Sequence, residues 1–156
     1  VAGAVVQPGV YRLPDGARLW TGELPDGWQD QTSYYFRGPE IEDFQHEIIV
    51  NVDRYLQTDD INEYSRDKIK PIVQSMNGIE VLKDQEITKA GGNPAYEFIF
   101  KWMPADDIKE VHNYLFVIKD QLGVMILIRF SKKSFKMLRN QFKEIVEEIL
   151  PGTYGA

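Results

Sequence analysis

Apolar and polar residues alternate with a period of two through most of residues 79–130, and two other stretches carry the period of an α-helix. The clearest alternation sets Tyr96, Phe98, Phe100 and Trp102 against Ala95, Glu97, Ile99 and Lys101. Successive side chains of a strand point to opposite faces, so this pattern predicts a β-strand. On the same basis strands are expected at 79–88, 111–119 and 123–130, broken by Ala90-Gly91-Gly92-Asn93-Pro94, Pro104-Ala105-Asp106-Asp107 and Asp120-Gln121. Together they read as an antiparallel meander. An earlier strand at His46–Val52 places Ile48, Val50 and Val52 on one face and Glu47, Ile49 and Asn51 on the other.

Thr58-Asp59-Asp60 reads as a helix start, with Thr58 as the cap, and Ile61, Tyr64, Ile69, Ile72, Val73 and Met76 recur at helical spacing up to Asn77-Gly78. Pro71 removes an intrahelical hydrogen bond, so a kink or two short helices are expected. A second helix is predicted from about Ser131 to Leu150, its apolar stripe made of Phe135, Leu138, Phe142, Ile145 and Ile149. Towards the N-terminus, Val10–Leu13 and Ala17–Trp20 read as two short strands about Pro14-Asp15-Gly16. In Leu24–Phe36 a Pro25-Asp26-Gly27 turn is followed by Trp28, expected to anchor at the edge of a core, and then by the strand Ser33-Tyr34-Tyr35-Phe36. The expected architecture is α+β: one domain over residues 1–156, an antiparallel β-sheet flanked by helices.

Composition narrows the function classes. Of 156 residues, 18 are Lys or Arg and 24 are Asp or Glu, a net charge of −6, which argues against a nucleic-acid partner. The chain has no cysteine, so disulfides and thiolate sites are excluded. Val1–Gln7 lacks a basic n-region and is not expected to be a signal peptide. No apolar run approaches the roughly 20 residues of a membrane-spanning helix. His46 and His112 stand alone without metal spacing, and packing or solvent exposure accounts for them. The pairs Asp59-Asp60, Asp106-Asp107 and Glu147-Glu148 read as solvated acids, and Gly91-Gly92 as a hairpin turn rather than a phosphate loop. No serine sits in a nucleophile elbow. Neither an enzyme nor a cofactor or metal site is expected.

The large residues of the strands leave two readings open. Either helices cover both faces of the sheet, or they cover one and the other forms an exposed apolar groove for a partner. Leu24-Pro25-Asp26-Gly27-Trp28-Gln29-Asp30-Gln31-Thr32 resembles the N-terminal signature of DcrB-like domains, the Eag-type effector-associated chaperones of bacterial type VI secretion. Tyr11-Arg12-Leu13, Ile48–Asp53, Tyr64, Gly92-Asn93-Pro94-Ala95 and the terminal helix fit the same pattern in order. The resemblance implies a Mog- or PsbP-like fold and a dimeric, cytoplasmic chaperone without direct membrane insertion. Its implied partner is an effector with apolar N-terminal transmembrane segments, kept soluble until it is loaded on the secretion spike. Carried onto this chain, it implies effector contacts at Ser33, Tyr35, Ile49, Asn51, Lys68, Ile72, Met76 and Tyr114, with Lys68 and Tyr114 standing where the family tends to offer amides. Ordinary core packing is the other reading of each. A periplasmic DcrB- or PsbP-like accessory domain that binds a membrane complex is an alternative, and a small-ligand carrier or enzyme on the same scaffold is a third.

Overall fold

The computed structural model describes residues 25–31 and 33–155. Among the described residues six strands form one sheet: β1 (Ser33–Ile41), β2 (Phe44–Asp53), β3 (Glu80–Glu86), β4 (Ala95–Ala105), β5 (Ile108–Lys119) and β6 (Leu122–Ser131). Two helices accompany them, α1 (Ile61–Ser75) and α2 (Lys132–Ile149). The strand order is β1-β2-β6-β5-β4-β3, and every pairing is antiparallel. The α+β architecture read from the sequence is therefore the one observed. The short strands expected at 10–13 and 17–20 lie outside the described residues.

Two-residue loops close the β1–β2 and β5–β6 hairpins. Glu42, Asp43, Asp120 and Gln121 all take positive φ, between 49° and 65°. Left-handed conformation at both loop positions gives the twist that suits paired strands. After β2, Asp60 rather than Thr58 caps α1, its carboxylate accepting from the backbone N–H groups of Asn62 and Glu63. Thr58 supports the cap by accepting from Asp60 N at 3.1 Å. α1 continues through Pro71 as one helix instead of two. Both Pro71 and Asp67, whose carbonyl loses its donor, are exposed, so water takes the place of the missing bond.

Each helix lies on its own face of the sheet, which differs from both readings left open by the sequence. On one face Phe142, Val146 and Ile149 of α2 join Val50, Leu115, Ile126 and Phe130 in a core that crosses five strands. Val146 is buried, whereas Ile145, expected in the stripe, is exposed. On the other face Ile61 and Tyr64 of α1 pack with Phe98, Phe100, Phe116 and Ile118. A Cβ on Gly123 would stand 2.6 Å from the Tyr64 ring, so only glycine lets Tyr64 lie against β6.

A charged knot pins α2 to its face. Glu97, with 0% of its surface exposed, binds Arg139 of α2 and Lys83 of β3, each at 2.9 Å, and accepts from Tyr154 Oη at 2.6 Å and Asn113 Nδ2 at 3.1 Å. Burial alone would raise its pKa; the hydrogen bonds from Arg139, Tyr154 and Lys83, with the Arg139 charge, outweigh that and hold it at about 2. Glu147, expected to be solvated, instead accepts from the backbone N–H groups of Gly152, Tyr154 and Gly155 and folds the chain end onto the knot. The histidines also have structural roles: His46 bonds the Pro39 carbonyl at 2.8 Å and Ser134 Oγ at 2.7 Å.

Candidate binding face

α1 spans only part of its face. It runs along the strands, because Asn62 at its start bonds Glu86 at the end of β3 while four residues after its last turn the chain enters β3 at Glu80. It packs on β4 and β5. Over β1, β2 and β6 no described helix lies on this face.

Register assigns that open half to three rows across the strands. The first is Ser33–Asn51–Met125, continued by Phe116 on β5. The second is Tyr35–Ile49–Leu127–Tyr114. The third pairs Arg37 with Glu47 and Arg129 with His112. Ser33 Oγ donates to Asn51 Oδ1, so the first row is polar at its outer end and already paired. The second row is an apolar strip: Tyr35 is 58% exposed, and Ile49, Leu127 and Tyr114 are half-buried.

The third row is a polar chain. Tyr35 donates to Glu47, a bond that raises the tyrosine pKa. Arg129 stands 3.8 Å from Glu47 and 3.6 Å from Glu110, and Glu110 in turn bonds His112 Nε2 at 3.0 Å. Burial lowers the His112 pKa against the opposing effect of Glu110. At the other end of the face an open concavity of about 600 Å³ is lined by Gln29, Gln31, Asn51, Gln57, Tyr64 and Lys68, among others. Amides and a lysine thus edge an apolar strip, an arrangement that can bury apolar surface and satisfy scattered polar groups but holds no acid–base pair aimed at a common point.

Of the residues the resemblance pointed to, Ser33, Tyr35, Ile49, Asn51 and Tyr114 come together on this face. Tyr114 stacks between Phe100 and Phe116, at 6.1 and 6.2 Å, and burial raises its pKa. Lys68 reaches across from α1 to Asp53 at 3.7 Å and lies over the Tyr64 ring. Ile72 and Met76 pack against the aromatic cluster beneath α1, away from the concavity. Trp28 is 71% exposed and anchors no core; its turn forms as expected, with Trp28 N bonded to the Pro25 carbonyl and Gly27 at φ 88°. Met125, Leu127 and Arg129 were not singled out from the sequence. Their period-two register was visible in β6, but not that β6 inserts beside β2.

The solved structure of PA94 from Pseudomonas aeruginosa, described as a protein of unknown function and a suggested regulator, matches with a TM-score of 0.69. The match covers 91% of this chain and 95% of PA94 at 16% identity, which speaks to the fold alone. No match is found among curated proteins. The family model for DcrB matches residues 21–147, and the chain belongs to the DcrB family.

Proposed function

We propose that this protein is a non-enzymatic chaperone or adaptor that binds apolar helices of a protein partner, the N-terminal transmembrane region of a type VI secretion effector, and keeps them soluble for loading on the spike. The observation that carries this reading is the half-open face: a strip of Tyr35, Ile49, Leu127 and Tyr114 beside a packed helix, where sheet geometry leaves room for another. An apolar helix in water gains about 25 cal/mol for each Å² that such a strip covers. The paired Ser33 and Asn51 give the strip hydrogen-bonding groups of the kind that join helices inside a membrane. Action as a dimer in the cytoplasm belongs to the same proposal.

Family membership also suits a DcrB-like accessory domain that docks this face on a membrane complex outside the cytoplasm. Co-expression with a candidate effector separates the two. The chaperone reading expects a soluble effector complex that collapses to aggregate when the protein is omitted; an effector equally soluble alone ends that reading.

A further inference from the structure

An apolar helix carries almost no side chain for a protein to orient, but it does carry end groups. Its last four carbonyls lack intrahelical donors, and the macrodipole concentrates partial negative charge there. A seat that holds such a helix in one direction therefore needs a cation at one end.

The open half of this face has the dimensions of one helix and a cation at one end. α1 sits over β4 and β5. A neighbour at a helix spacing of about 8–10 Å is displaced by two strand spacings, which centres it over β6 and β2. From Asp53 to Glu47 along β2 is about 20 Å, the length of roughly 13 helical residues. At the Glu47 end the polar row crosses the floor. Its carboxylates are turned inward: the Glu47 and Glu110 side chains are 25% and 12% exposed, whereas Arg129 is 41% exposed. Both ion pairs of Arg129 are long, 3.8 and 3.6 Å, so its five-donor guanidinium fork retains capacity for another acceptor. At the opposite end the floor opens into the amide-lined concavity, where a longer helix can overhang.

We propose that Arg129 is the end stop of this seat: the partner's apolar helix lies beside α1 and parallel to it, with its C-terminus at Arg129. The direction follows from α1, whose C-terminal end lies at the same end of the sheet. This inference rests on the reading that the face takes apolar helices, and it adds a direction and a residue that imposes it.

Peptide titration tests it. The probes are two Leu/Ala helices of 13 residues with blocked ends and an uncharged Gly/Ser/Asn tail, one bearing a single aspartate at its C-terminal end and the other at its N-terminal end. Affinity of the full chain is measured for each, and again for Arg129→Gln and Arg129→Glu. Expected is a loss of about fivefold or more for the C-terminal aspartate peptide in Arg129→Glu, with the N-terminal one little changed. A C-terminal lysine peptide should gain affinity in the same variant. Equal losses for both aspartate peptides would overturn the end stop while leaving the helix-binding reading intact. Failure of every peptide to bind the unaltered protein would overturn both. Unchanged circular dichroism and melting temperature in the variants confirm that folding is not what moved.

Discussion

The two faces of the sheet solve opposite problems with similar residues. Beneath α2 the sheet is closed: Phe142 and Val146 are buried on Leu115, Ile126 and Phe130, and the charges Glu97, Arg139 and Lys83 satisfy one another at 2.9 Å. On the other face α1 closes only the β4–β5 half, and the charges of the open half, Glu47, Arg129 and Glu110, stand at 3.6–3.8 Å and reach water. Charge alone does not distinguish the regions. Distance and burial do: the first set holds the fold, and the second is free to meet something else.

Matched substitutions break or sharpen that contrast. Arg139→Met strands Glu97 as an uncompensated buried charge and should cost about 3–5 kcal/mol in urea unfolding. The same change at Arg129 should cost at most about 1 kcal/mol, since exposed pairs are worth little. Near-equal losses would erase the distinction. Phe142→Ala should likewise cost about 3–5 kcal/mol through transfer and cavity terms.

Acid tests the closed face through one group. The folded pKa of Glu97, about 2, lies below its ordinary 4.5, so the knot stabilises fully above pH 4.5 and its contribution is lost as pH falls towards 2. A difference of that size is about 3 kcal/mol. Thermal melts from pH 6 to pH 2 should fall through that window, and Glu97→Gln, less stable at neutral pH, should show a flatter profile there. Smallest among these effects, Asp60→Ala should remove the α1 cap at about 1 kcal/mol, measured as a shift in urea midpoint, without altering the closed face.

Much of the fold was legible because its strands are antiparallel and its loops short. Period-two alternation located β4, β5 and β6, and Asp120-Gln121 marked its hairpin. What escaped was non-local. Nothing near β6 states that it pairs with β2, so Met125, Leu127 and Arg129 could not be placed beside Ile49 and Asn51. Glu97 read as an ordinary polar position in an alternating strand; its partners lie 14, 42 and 57 residues away, beyond the reach of any local pattern. Thr58 and Asp60 are both competent caps, and only the backbone path selects Asp60. Trp28 looked like an anchor because of its size, yet its turn projects it to solvent.

The central claim is that the open half of the α1 face holds the apolar helices of a protein partner. The most direct measurement is co-purification of an effector's apolar N-terminal region with the unaltered chain, with Ile49→Asp and with Leu127→Asp, each variant first shown to keep its melting temperature within a few degrees. The account predicts a soluble complex with the unaltered chain and none with either variant. An effector region that co-purifies equally with all three would contradict it and move the binding surface elsewhere on the molecule.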